Sequence, residues 1–326
     1  MRAVCVSEVG GPEVLLVSDV PEPAAGEGEV LIDVALAGVN FGDTHQREGQ
    51  YIAERALPFV LGGEVAGTAE GRRVVALLDT GGYAERAVAA AERTFDIPDG
   101  VSDHAALALL IQGLTAWHLY RTAARLGRGE SVVVHSAAGG VGGLAVQLAK
   151  PMGAGRVIAT AGSPERRERA LELGADVAVD PDADDLTAAL VEANEGRQVD
   201  VVLETAGGRV FEQSLQALAP FGRLVAYGNS TREKVRVSNA ALLKTSRAVV
   251  GFWLMHLLDR PEMLAGPLAD LFDRAARGEI EAQLGPVYPL EDVRRAHEDL
   301  AGRRTTGKLA LEVKAPRVLS IRDDDI

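Results

Sequence analysis

Residues 131–150, SVVVHSAAGGVGGLAVQLAK, constrain the fold of this chain more than any other stretch. Val132, Val133 and Val134 form a short apolar run, a turn of small residues follows, and Val141, Leu144, Ala145 and Leu148 then recur at helical spacing. The pattern reads as strand, tight turn, helix. In the turn, Ala137, Gly139 and Gly142 occupy the three positions of a dinucleotide fingerprint, with Ala in place of the first Gly. Residues without bulk let the backbone approach a pyrophosphate, whose charge is received by the amides and positive dipole end of the next helix. Gly140 and Val141 open that helix and belong to the same phosphate-facing turn. Alone the fingerprint is weak; the buried strand before it and the amphipathic helix after it supply the context it requires.

A dinucleotide domain ends its second strand about 20 residues further on with a group that handles the adenosine ribose. That strand spans Val157 to Thr160, and no Asp or Glu ends it. Instead Ala161, Gly162, Ser163 and Pro164 lead to Glu165, Arg166 and Arg167. A carboxylate there would accept from free ribose hydroxyls and repel a 2′-phosphate, whereas Arg offers a forked donor suited to phosphate. Arg near a helix start is also electrostatically unfavourable unless an anion is present. The expected cofactor is NADPH.

Charge and composition narrow the partners. Lys plus Arg number 34 against 47 Asp plus Glu, a net charge of −13, with no basic cluster to meet nucleic acid or an anionic membrane. The single cysteine, Cys5, cannot form a disulfide within the chain, which fits a reducing compartment. No run of about 18 uncharged apolar residues occurs and the amino terminus lacks a signal-peptide pattern, so a soluble cytoplasmic protein is expected.

Up to about residue 100 the chain reads as short strands between Gly and Pro signals: Val14 to Val17, Val30 to Leu36, Val65 to Ala69, Val74 to Leu77 and Ala84 to Val88. Ser102 is a plausible N-cap for a long apolar helix through Leu107, Leu110 and Leu114 to Leu126. Strands and helices then alternate from Val132 to about Phe252, as parallel strands with right-handed crossovers require. A helix over 262–278, a short strand near Val287, a helix from Leu290 to Ala301 and a last strand from Gly307 to Val313 complete the pattern. The tail from Pro316 to Ile326 is expected to pack poorly.

The motifs GVNFGDTHQREGQY and HSAAGGVGGLAVQLAK, with a late TGKLAL strand, resemble the medium-chain dehydrogenase/reductase superfamily, and within it the zinc-free quinone oxidoreductases, the ζ-crystallin-like group. The resemblance covers residues 1 to about 314. It implies an α/β chain made of a GroES-like β-rich catalytic domain (1–115 and 255–326) and a Rossmann domain with a doubly wound parallel sheet (116–254), with the active site between them. Zinc-dependent relatives have Cys where Asn40 stands and Gly-His-Glu where Gly62, Gly63 and Glu64 stand. The six histidines fall into no metal spacing, so no metal is expected and Glu64 reads as a structural carboxylate.

Residue by residue, the resemblance places Asn40, Asp43 and Tyr51 in the cleft beside the nicotinamide and Thr115 near the same ring. It places Thr160, Ser163, Arg166 and Arg167 at the adenosine end, with Arg166 where relatives pair a Lys with the 2′-phosphate. Tyr227, Gly228, Phe252 and Trp253 fall where relatives approach the nicotinamide half, Lys308 matches a Lys of the carboxy-terminal return, and it and Thr205 are expected to bind the cofactor. Three departures stand out: Ser136 replaces a Gly, Asp180 stands where several NADPH enzymes have Tyr, and the hairpin between Thr68 and Arg72 is short. The last is either a trimmed surface connection or an opening for a larger substrate.

Without a metal Lewis acid, a conjugated acceptor is the easier substrate, because developing charge on its carbonyl oxygen needs only a few hydrogen-bond donors. The expected activity is NADPH-dependent hydride transfer to a quinone or an α,β-unsaturated carbonyl. An enoyl-thioester or polyketide-tailoring reductase is the alternative enzyme, and a non-catalytic NADPH-binding protein of the sensor or crystallin kind is the alternative outside catalysis. The resemblance also implies a homodimer, paired through the apolar run 248–254.

Overall fold

The structure, a computed structural model, describes residues 1–313. The tail from Pro316 to Ile326 lies outside the described residues. In chain order come β1 (Arg2–Val6), β2 (Leu16–Asp19), β3 (Glu29–Val39), α1 (Phe41–Arg47), β4 (Phe59–Val60), β5 (Glu64–Ala69), β6 (Arg72–Leu77), β7 (Arg86–Ala90) and β8 (Thr94–Asp96). A helix over 103–124 follows, built of α2 (Asp103–Ala108), a π segment (Leu109–Gly113), α3 (Leu114–His118) and a second π segment (Leu119–Ala124). The Ser102 hydroxyl accepts from Ala105 N at 3.1 Å, as its N-cap position predicts.

Then alternate β9 (Ser131–Val134), α4 (Gly140–Ala149), β10 (Arg156–Thr160), α5 (Pro164–Glu172), β11 (Val177–Val179), α6 (Leu186–Ala193), β12 (Val199–Glu204), α7 (Gly208–Ala217) and β13 (Leu218–Ala226). The chain closes with α8 (Asn239–Thr245), β14 (Ala248–Gly251), α9 (Ala265–Ala276), β15 (Leu284–Pro289), α10 (Val293–Ala301) and β16 (Lys308–Glu312).

Two compact units result. The first holds Met1–Leu107, Pro286–Thr305 and the chain from Leu309 on; the second holds Ala108–Gly285 and Thr306–Lys308. Residues 255–285, grouped with the first domain on the strength of the resemblance, therefore sit in the second unit. The reason is the apolar face of α9: Leu268, Leu271 and Phe272 are buried. Trp117 Nε1 on α3 donates to Asp270 Oδ2 at 3.2 Å.

In the first unit, β2, β1 and β4 form a three-stranded sheet, and a larger sheet runs β15-β16-β3-β5-β6-β8 with β7 also on β3. β3 is longer than its apolar run because it serves three antiparallel partners, β16, β5 and β7. Alternating residues such as Ile32 and Val34 enter a core shared with Val65, Val74, Tyr83 and Leu309. The short hairpin between β5 and β6 closes on Glu70 (φ 50°) and Gly71 (φ 75°), two left-handed residues in succession. Their twist is that of the favoured two-residue hairpin turn.

The second unit holds one parallel sheet of order β11-β10-β9-β12-β13-β14. β9 and β12 leave the middle in opposite directions, which makes their boundary the switch point of a doubly wound fold. All four residues of β9 are buried, as a strand covered by helices on both faces must be. β13 begins at Leu218, ahead of Pro220 and Gly222, because Leu218 already pairs with Val199 of β12.

Candidate functional site

The turn after β9 is shaped for close approach of a ligand backbone. Ser136 sits at φ 55°, a left-handed position that costs an L-residue about 1–2 kcal/mol and explains why relatives would carry Gly there. Its carbonyl oxygen lies only 2.2 Å from where a Cβ on Gly142 would stand, so Gly142 admits no side chain. Ala137 is fully buried and its N–H donates to Thr160 O at 3.0 Å, tying the turn to the end of β10. Gly139 is the N-cap of α4 and supplies no side-chain cap, unlike Ser163 on α5 and Asp185 on α6. The first turn of α4, with Gly140 and Val141, thus keeps backbone donors for an anion. Chemistry and space fit the pyrophosphate of a dinucleotide.

Thr160 contributes through its backbone, since its hydroxyl is buried 2.8 Å from His135 Nδ1. His135 Nε2 lies 2.7 Å from Ser214 Oγ on α7, and burial pushes this imidazole down to about 4. At the adenosine end Ser163 Oγ accepts from Arg166 N at 3.3 Å and fixes the start of α5. Arg166 is half-buried there. Arg167 is turned aside: its Nη1 donates to Ala161 O and to Asp180 Oδ2, each at 2.9 Å.

Further along the carboxyl ends of the strands, Thr205 and Gly228 touch closely, a Cβ on Gly228 falling 2.3 Å from Thr205 Oγ1. Burial raises the Tyr227 phenol, and the Glu204 carboxylate adds to the rise. Glu204, missed from sequence, takes N–H bonds from Ala206 and Gly207 at 2.6 and 2.9 Å on Oε1, while Oε2 is buried with no partner. Burial accordingly pushes its carboxyl up. Phe252 stacks on His118 with ring centroids 6.0 Å apart, and Trp253 meets His256 edge-on. The Thr115 hydroxyl donates to Ile111 O at 2.6 Å, so its proton is committed and its lone pairs remain. Gln112, also missed, lays its carboxamide over Gly140, where a Cβ would come within 2.3 Å. Lys308 is fully buried.

In the first unit Asn40 and Asp43 come together. Asn40 N-caps α1 and donates its backbone N–H to Asp43 Oδ2 at 2.8 Å, closing a capping box. Its side-chain Nδ2 donates to Glu64 Oε1 at 2.7 Å, and Glu64 is fully buried. Tyr51 lies across Gly42, its Cε2 3.2 Å from the place of a Cβ there. Asp43 is buried and its Oδ2 also accepts from Tyr83 Oη at 2.8 Å, with His297 Nε2 3.3 Å beyond. Asp43 Oδ2 thus joins the Asn40 backbone to the Tyr83 hydroxyl. Burial and the Asp43 charge hold the Tyr83 phenol well above its ordinary range, and burial pushes the His297 imidazole down to about 3. Tyr83 and His297 were not legible as site residues: neither belongs to a motif, and 214 positions separate them.

Residues 26–99 match the family of alcohol dehydrogenase GroES-like domains, and residues 140–272 match the family described as zinc-binding dehydrogenase. A quinone oxidoreductase of Pseudomonas aeruginosa is 36% identical over 93% of this chain and 96% of its own. The chain belongs to the quinone oxidoreductase family. The Escherichia coli quinone oxidoreductase structure, complexed with NADPH, superposes with a TM-score of 0.89 at 32% identity, covering 96% of this chain and 100% of that one. The Thermus thermophilus quinone oxidoreductase, also described with NADPH, gives a TM-score of 0.86 at 37% identity over 96% of this chain and 100% of that one.

The zinc named in the family description does not fit here. Asn40 offers an amide and Gly63 no side chain, and the remaining donor, Glu64, is bonded to Asn40. Among the described residues no group of three or more His, Cys, Asp or Glu is placed to hold a metal ion. No helix among them is long and apolar enough to cross a membrane.

Proposed function

We propose that this protein is an NADPH-dependent reductase that delivers hydride to a quinone or an α,β-unsaturated carbonyl without a metal. The observation that carries the reading is the Asn40–Glu64 hydrogen bond, 2.7 Å long, at the position where metal-dependent relatives need ligands. An amide clamped by a buried carboxylate can orient a carbonyl oxygen and cannot polarise it as strongly as a Lewis acid, which favours acceptors whose charge is already delocalised.

When bound, NADPH supplies the hydride. The turn over Ala137, Gly139, Gly140, Val141 and Gly142 would hold its pyrophosphate, and Ser163 and Arg166 the 2′-phosphate side. Thr205, Tyr227, Gly228, Phe252, Trp253 and Lys308 are assigned to the nicotinamide half. Asn40, its Nδ2 held by Glu64, is assigned to the acceptor oxygen. Tyr51 offers a second hydroxyl donor and holds the proton that completes the reduction. Thr115, with its proton on Ile111 O, accepts from an N–H or O–H of the cofactor rather than donating to the substrate.

The test follows NADPH and NADH absorbance separately against quinones, simple enones and an enoyl thioester, with and without chelator. Turnover with quinone or enone, preferring NADPH and indifferent to chelator, is expected, and Tyr51→Phe should lower turnover about 10²-fold while leaving the fold intact. Chelator-sensitive alcohol oxidation would sink the reading, and turnover confined to the thioester would replace its substrate. Pairing of two chains is supported by β14, an edge strand whose neighbour Phe221 is 81% exposed. A solution mass near twice 34.3 kDa is expected by light scattering, and the monomer mass would exclude it. The lone Cys5 supports a cytoplasmic setting.

A further inference from the structure

β10 and β11 end side by side, with Thr160 paired to Val179, so Ala161 and Asp180 emerge together at the carboxyl edge of the sheet. Ligands of open α/β sheets bind outside that edge. α5 begins there at Pro164 and places two adjacent guanidinium groups, Arg166 and Arg167, in its first turns. Arg167 is folded back along its own loop, its Nη1 shared between Ala161 O and Asp180 Oδ2 at 2.9 Å each. Asp180 is no mobile counter-ion, because its second oxygen accepts from Asp182 N at 2.9 Å. The carboxylate is held at both ends.

We propose that Asp180 determines how strongly this chain prefers NADPH over NADH, by withholding Arg167 from the 2′-phosphate. The proposal rests on the NADPH reading above. Its physics is simple. A guanidinium bonded to a carboxylate has spent its charge and one of its donor edges, so the pair offers the phosphate little attraction. NADH carries no phosphate at this position, so its binding is indifferent to the pair. Arg167 is thus a second phosphate ligand held in reserve.

The test is direct binding of each reduced dinucleotide to the intact protein by calorimetry, with no turnover involved. Asp180→Ala frees Arg167, and Asp180→Asn removes the charge while keeping an oxygen for Asp182 N–H. Both should tighten NADPH about fivefold and leave NADH within about twofold. Arg167→Ala alone should change NADPH affinity less than about twofold, yet it should abolish the gain when combined with Asp180→Ala. Equal tightening of NADH and NADPH, a gain that survives loss of Arg167, or no gain in a protein that binds NADPH would each overturn the role of Asp180. A native protein that fails to bind NADPH overturns the cofactor reading itself, and this inference with it.

Discussion

Acidification from about pH 7.5 to about pH 5 should cost the second unit about 2 kcal/mol through His135 alone. His135 is enclosed between Thr160 Oγ1 and Ser214 Oγ, and burial lowers its imidazole from 6.5 to about 4. A depressed imidazole favours the neutral folded form, so the stability it contributes is fully present above pH 6.5 and is lost as pH falls toward the folded value. At about pH 5 the unfolded chain has taken up the proton and the folded chain has not. The gap of about 1.5 units, at about 1.4 kcal/mol each, gives the figure. Both tryptophans, Trp117 and Trp253, lie in the second unit, so urea denaturation followed by their fluorescence reports on the right part of the molecule. His135→Gln has nothing to titrate, and its stability should fall by about 2 kcal/mol less than the native protein's over the same range. Parallel falls in the two proteins would refute the argument.

Gly142→Ala should abolish NADPH binding in calorimetry while leaving the circular dichroism spectrum unchanged, because the new methyl would sit 2.2 Å from the Ser136 carbonyl and push the turn open. Undiminished affinity would mean that the turn does not hold the pyrophosphate. Tyr83→Phe removes the hydroxyl that donates to Asp43 and lies 3.3 Å from His297, and should lower stability to heat by about 2 kcal/mol; a change within about 0.5 kcal/mol would show that the chain Asp43–Tyr83–His297 does not hold the first unit together.

Much of the fold is written locally. The alternation expected from Val132 onward is found as β9 to β14, and α5 begins at Pro164 because Ser163 caps it. What failed to show is what lacks a local signal. α8 buries no residue, so it imprints no apolar stripe on 239–245. β1 begins at Arg2, before any turn residue could mark it, and owes its existence to β2 and β4. In the site, Asn40 and Gly142 are legible because a capping box and a phosphate turn are short-range devices. Tyr83 and His297 are not, since they reach Asp43 only through tertiary pairing. The Arg167–Asp180 pair lies between: each residue draws notice alone, but only the paired ends of β10 and β11 bring them together.

The two π segments in helix 103–124 act as phase shifters. A wider turn takes up one residue more than an α-turn, and that extra residue sets everything downstream back by about 100° around the helix axis. Thr115 follows the first segment directly, and its hydroxyl meets Ile111 O inside it. Cutting one residue out of 109–113 would let the helix relax to a regular pitch with Thr115 still on its present face, because the deletion and the lost bulge cancel. The wider turns thus absorb surplus residues without moving the faces beyond them, and it is a deletion in the regular turns between them that would retune where the polar residues point.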